Sequence, residues 1–102
     1  MRILVFFDLP VATKTQRTVA TRFRNFLLKD GYHMVQFSVY ARVCNGMDDV
    51  EKHKRRLNLN LPNNGSVRML IITERQYESI VVLVGKLVPE EKVKPYEQLS
   101  IF

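Results

Sequence analysis

The stretch Arg2-Ile3-Leu4-Val5-Phe6-Phe7-Asp8-Leu9-Pro10 decides how the chain is read. Its apolar run has the length of a strand and is rich in β-branched and aromatic residues. Continuous hydrophobicity of that kind predicts a strand buried on both faces. Pro10 closes it, because proline has no N–H to give to a ladder. The run therefore delivers Asp8 to the C-terminal end of the strand. Asp8 is also the sole acid among the first 29 residues.

Working outward, the period changes from strand to helix. Thr13 and Gln16 spell a T-x-x-Q capping box, which predicts a helix over 14–29. Val19, Phe23, Phe26 and Leu27 make its apolar stripe, and Gly31 suits the left-handed position after it. Residues 33–43 then alternate, as one bent strand or as two short ones divided near Ser38. Asn45-Gly46 marks a turn. A second helix follows over 47–60, with Asp48, Asp49 and Glu51 early and Lys52, Lys54, Arg55 and Arg56 late, the order that the helix dipole favours. Val50, Leu57 and Leu61 give its stripe. Pro62-Asn63-Asn64-Gly65 is a turn, and 67–73 a buried strand interrupted only by Arg68. Thr73 and Gln76 repeat the capping box before a short helical turn. A strand over 80–84, a charged connecting loop over 86–96 and a short alternating strand over 97–102 complete the chain.

This order specifies an α+β, ferredoxin-like βαββαβ plan with additional C-terminal strands. A length of 102 residues allows a single domain, 1–102, with its core in about 1–84 and a C-terminal loop and strand in 85–102. Helices would cover one sheet face. The other face and the apolar terminal strand need a cover, which a second copy in a symmetric dimer would supply.

Composition excludes several classes. At 46% hydrophobic and 25% charged residues, the chain is a globular rather than a disordered one. One cysteine, Cys44, builds neither a disulfide nor a zinc knuckle, and reads as a packing residue. No apolar run reaches bilayer length, and the one ahead of Asp8 is too short for a signal-peptide core, so a cytoplasmic protein without membrane contact is expected. Sixteen Lys and Arg against ten Asp and Glu leave a net charge of +6, all of it contributed by residues 1–60. A one-sided basic balance suits a nucleic-acid binder.

Asp8 is the sharpest candidate for chemistry, against the plainer reading of a turn aspartate bonded to nearby amides. One carboxylate holds a hard cation poorly. A two-fold axis near Asp8 would bring a second one, enough for Mg²⁺ and for hydrolysis of a phosphodiester. Lys14, Arg17, Arg22, Arg24 and Lys29 lie off the apolar stripe of the first helix and suit phosphate contacts, with Arg17 and Arg24 side by side. The basic run of the second helix reads as a solvated face, His53 as a boundary histidine, and Tyr32, Phe37 and Tyr40 as core aromatics. P-loop, dinucleotide and RNA-recognition signatures are absent.

Arg2 to Pro10, Phe23-Arg24-Asn25-Phe26-Leu27, Gly31-Tyr32 and Gln36-Phe37-Ser38-Val39-Tyr40 together resemble the CRISPR-associated protein two family across the whole chain. Ile72-Thr73-Glu74-Arg75-Gln76-Tyr77 is similar to its type II members. The resemblance implies a ferredoxin-like homodimer whose C-terminal strand, with Leu99 and Ile101, packs on the partner. It implies a role in CRISPR adaptation beside the CRISPR-associated integrase on double-stranded DNA. It also implies a Mg²⁺-dependent endonuclease on single-stranded RNA or on DNA. By the same resemblance Asp8 is the metal-binding and catalytic aspartate, Lys14 and Arg17 match the basic residues of the first helix, and Ser38 lies at the dimer interface. Phe7 stands where other members commonly carry a tyrosine. An alternative is a toxin-type messenger-RNA endoribonuclease of the virulence-associated D class, which shares the fold.

Overall fold

A computed structural model describes residues 1–85 and the backbone of Lys94–Pro95. The elements are β1 (Arg2–Asp8), α1 (Lys14–Lys29), β2 (His33–Gln36), β3 (Val39–Val43), α2 (Met47–Leu59), β4 (Ser66–Ile72), α3 (Glu74–Glu78), β5 (Val81–Val82) and β6 (Lys94–Pro95). They fall into two compact units, Met1–Ile71 and Ile72–Phe102.

In the first unit the strands are ordered β2-β3-β1-β4. β3 pairs antiparallel with both β1 and β2. β1 and β2 therefore run parallel, with α1 as the crossover and β3 inserted between them. That is the split βαβ of the ferredoxin-like plan. Directly opposed residues share a sheet face, and neighbours in a strand alternate between faces. Val5 opposes Tyr40, and Phe6 opposes Val39. Ile3, Val5, Phe7 and Tyr40 pack with Phe23 and Leu27 of α1 and Val50 and Leu57 of α2 into one core. Phe7 meets Phe23 edge-on, with ring centroids 5.2 Å apart. Val67, Met69 and Ile71 of β4 close the same side.

The opposite face carries Phe6 and Asp8 of β1, Val39 and Val43 of β3, and Arg68 and Leu70 of β4. Phe6 is 36% exposed, Val43 47% and Leu70 49%. The reading of β1 as buried on both faces is thus corrected at Phe6 and Asp8: the helices cover one side of the sheet only. Leu4 and Arg2, on the same face as Phe6, are nonetheless buried.

Residues 33–43 form two strands joined at Phe37-Ser38. Gln36 opposes Val39, which makes a two-residue connection. Ser38 takes φ 65°, the one positive φ of a non-glycine among the described residues. Its carbonyl accepts the Phe7 N–H at 3.0 Å and ties the hairpin tip to the end of β1. Phe37 is 86% exposed at that tip, unlike Tyr32 and Tyr40, which are core as their pattern predicts.

The helices begin where their caps predict. The Thr13 hydroxyl accepts the Gln16 N–H at 3.1 Å, and the Gln16 side chain accepts the Thr13 N–H at 3.0 Å. Ala20, Phe23 and Leu27 are the buried line of α1, with Val19 and Phe26 half-buried beside it. In α2 the buried line is Val50, His53 and Leu57. His53 is therefore no boundary residue. It is fully buried, with Nδ1 2.7 Å from an Asp30 carboxylate oxygen. Arg56 donates to the other Asp30 oxygen at 2.9 Å. These contacts fasten α2 to the end of α1. Leu61 lies beyond α2 and is exposed. Cys44 is buried in the core, and burial pushes its thiol up from the ordinary 9.0.

In the second unit Thr73 and Gln76 form the predicted capping box of α3, and Tyr77 is buried. The strand predicted over 80–84 contracts to Val81–Val82, which pairs in parallel with Lys94–Pro95. Those two residues belong to a sheet rather than to the predicted loop. The strand predicted over 97–102, with Leu99 and Ile101, lies outside the described residues. No helix among the described residues is long and apolar enough to cross a membrane.

Candidate metal and nucleic-acid sites

β1 places Asp8 by alternation. Because Phe7 turns into the core, Asp8 projects from the opposite face. Phe6, Phe7, Asp8, Ser38, Val39, Ser66 and Arg68 line a groove of about 270 Å³ there. The Pro62–Gly65 turn approaches this end of β1 closely. Gly65 has φ +90°, and a Cβ on it would stand 2.5 Å from the Asp8 carbonyl oxygen. The Asp8 carboxylate is exposed and has no hydrogen bond or ion pair among the described residues. It is not held as a turn aspartate bonded to nearby amides. Arg68 is likewise exposed and without a carboxylate partner among the described residues.

The donors in this groove are hard oxygens, the Asp8 carboxylate and the hydroxyls of Ser38 and Ser66. Magnesium takes one or two carboxylates and keeps several waters, so an exposed lone carboxylate fits a hydrated ion. Among the described residues no group of three His, Cys, Asp or Glu could enclose one. Among the described residues no second carboxylate lines the groove. The phenyl ring of Phe7 lies in the core, edge-on to Phe23.

The cations of α1 form a second place. Lys14, Arg17, Thr18, Thr21, Arg22, Asn25, Phe26 and Lys29 line a groove of about 680 Å³, with Asn60 from the end of α2. Five basic residues and no acid occur in α1. Lys14, Arg22 and Lys29 have no carboxylate partner among the described residues. Arg17 lies in the groove, and its Nη1 donates to the carbonyls of Val11 at 3.2 Å and Ala12 at 3.1 Å. Arg24 is half-buried and is not among the lining residues. The basic run of α2 is partly spent on structure: Lys52 pairs with Asp49 at 3.3 Å, and Arg56 with Asp30.

The structure therefore brings Asp8 and Ser38 to one groove, and Lys14 and Arg17 to another. It adds Arg68 and Ser66 to the first, with Gly65 packed against the Asp8 carbonyl, and of the cations already named in α1 it places Arg22 and Lys29 in the second. The sequence carries a signal for Arg68 and for the grouping of Arg22 and Lys29. Arg68 alternates with core-facing Val67 and Met69, which turns it to the face of Asp8. Arg22 and Lys29 fall within about one helical quadrant of Lys14.

The family described as CRISPR associated protein Cas2 matches residues 1–80. A CRISPR-associated endoribonuclease Cas2 of Acidovorax ebreus (strain TPSY) is 53% identical over 102 residues, 100% of both chains. The protein of that name from Campylobacter jejuni subsp. jejuni serotype O:2 is 42% identical over 102 residues, 100% of this chain and 71% of the relative. In fold, the crystal structure of Streptococcus pyogenes Cas2 at pH 6.5 superposes with a TM-score of 0.57 at 23% identity, covering 78% of this chain and 99% of that one. Matched from its first strand to the end of α3 and over its full length by such relatives, the chain belongs to the Cas2 family.

Proposed function

We propose that the chain works as a homodimer in CRISPR adaptation of a type II system, holding the backbone of double-stranded DNA beside the CRISPR-associated integrase. In this reading the same dimer is a Mg²⁺-dependent endonuclease with Asp8 as its metal-binding and catalytic carboxylate. The observation that carries the nucleic-acid reading is the groove of α1, where Lys14, Arg22 and Lys29 stand without acidic partners among the described residues. Unspent cations along a helix neutralise phosphates and release counterions, which gives affinity without base reading. Arg24, outside the groove, would extend the contact along the helix flank.

The dimer reading is supported by the apolar sheet face bearing Phe6, Val43 and Leu70. Ser38 lies beside that face, and Leu99 and Ile101 would pack on the partner. Two Asp8 carboxylates meeting near the axis would hold the cation. When bound, that cation would supply Lewis acidity and a more acidic water. The chain's own residues prepare the place: β1 fixes the carboxylate by alternation, Ser38 and Ser66 offer hydroxyls, and Gly65 lets the turn close on Asp8. The names of the relatives at 53% and 42% identity support RNA as a substrate for cleavage. Membership of the Cas2 family favours this reading over the virulence-associated D alternative.

The test is spacer integration with the purified integrase, alongside cleavage of labelled single-stranded RNA and duplex DNA in Mg²⁺, for wild type and Asp8→Asn. Cleavage is expected to disappear in the variant while the dimer persists. Persistent cleavage would remove Asp8 from the chemistry. Absence of integration with wild type would remove the adaptation role.

A further inference from the structure

We propose that Arg68 is a second catalytic residue of the Asp8 groove, where its guanidinium grips the non-bridging oxygens of the phosphodiester being cut. The proposal rests on the reading of Asp8 as the nuclease carboxylate. β4 lies beside β1 in the sheet, and Val67, Met69 and Ile71 pack toward the core. Alternation then turns Arg68 to the face from which Asp8 projects. Both line the same groove, together with Ser38 and Ser66.

The two opposite charges share the groove without forming an ion pair, and neither is engaged by another described residue. Arg56 of α2, by contrast, spends its charge on Asp30. Arg68 lines the groove, is exposed, and leaves its guanidinium unengaged among the described residues. That is the arrangement a phosphate would complete: its anionic oxygens match the guanidinium in bidentate fashion. In hydrolysis a water oxygen bonds to phosphorus and the ester oxygen leaves, taking up one proton while the other goes to solvent. The products are a phosphate monoester and a hydroxyl. Charge builds on the phosphoryl oxygens during this exchange, and a fixed cation there stabilises it without moving a proton.

The experiment compares wild type, Arg68→Ala, Arg68→Lys, Asp8→Asn and the Asp8→Asn/Arg68→Ala double variant. Single-turnover cleavage of labelled single-stranded RNA is followed in Mg²⁺ across pH. Binding of the same RNA by the two Asp8→Asn proteins is followed across salt, and mass is checked by light scattering. Arg68→Ala is expected to cleave about 10²-fold more slowly, and guanidinium ion is expected to restore part of the rate. Arg68→Lys should fall between. Adding Arg68→Ala to Asp8→Asn should flatten the log–log salt slope by about 0.7, one phosphate contact on a single strand.

Cleavage by Arg68→Ala within about threefold of wild type would overturn the proposal, as would a rate loss that merely tracks loss of the dimer in both Arg68 variants. An unchanged salt slope would overturn the phosphate contact. If wild type and Asp8→Asn cleave alike, the Asp8 reading fails and the catalytic role of Arg68 falls with it. A flattened slope would then leave Arg68 a binding residue only.

Discussion

Two residues beside the end of β1 hold left-handed backbone. Gly65, at φ +90°, faces the Asp8 carbonyl at a distance no Cβ tolerates. Gly65→Ala should cost about 2–4 kcal/mol, a left-handed penalty plus a clash with backbone. A urea midpoint would show it, and cleavage should fall as the turn pushes Asp8 aside. Ser38 occupies the left-handed region at φ 65°. Ser38→Gly should be close to neutral, since relief of strain offsets the entropy of glycine, whereas Ser38→Val should cost about 1–2 kcal/mol. At this scale Asp8 was legible, because it is the lone early acid and closes a strand. Gly65 was legible only as a turn glycine. Its approach to Asp8 joins residues far apart in sequence, and no local pattern encodes that.

Among the elements, the helix starts were the most readable parts, because a capping box is a short-range code whose partners lie three residues apart. Thr13→Ala should cost about 1 kcal/mol of stability, visible in the same urea titration. The start of α2 is different: Gly46 offers no side chain, and Asp49 reaches back to accept the Asn45 N–H at 3.0 Å. That bond, with Lys52 adding to it, holds the Asp49 carboxyl below its ordinary 3.8. A depressed carboxyl stabilises the fold above its unfolded value and ceases to do so as pH falls through the folded one. The urea midpoint of wild type should therefore decline below about pH 4 more than that of Asp49→Asn. His53 was misread for a physical reason. Its partner Asp30 lies just past the end of α1, and a histidine within an apolar stripe looks the same whether it edges the core or is paired inside it.

For the whole molecule, the strand order followed from the sequence of elements, and a one-sided helix cover followed from that order. Which sheet residues stay uncovered followed only from the register. Phe6→Glu combined with Leu70→Glu should leave a 12.0 kDa monomer in light scattering, if this face joins two copies. Net charge pointed to a polyanion partner but not to a place on the surface. The groove depends on α1 and the end of α2 coming together. Replacing Lys14, Arg22 and Lys29 with alanine should flatten the salt dependence of duplex binding by up to about 2.7 units, at roughly 0.9 per phosphate. An unchanged slope would move the duplex elsewhere.

The alternation of β1 has a consequence for how the chain tolerates insertions and deletions. Phe7 and Asp8 differ by one position, and that single step separates a ring in the core from a carboxylate in solvent. Dropping one residue from the strand ahead of them, while its pairing with β3 is kept, would exchange their places and bury an acid beneath α1. The strand is in effect a parity counter. Changes of two residues preserve the assignment of sides and changes of one invert it, so the carboxylate is kept on its side by an odd-or-even rule as much as by the identity of any neighbour.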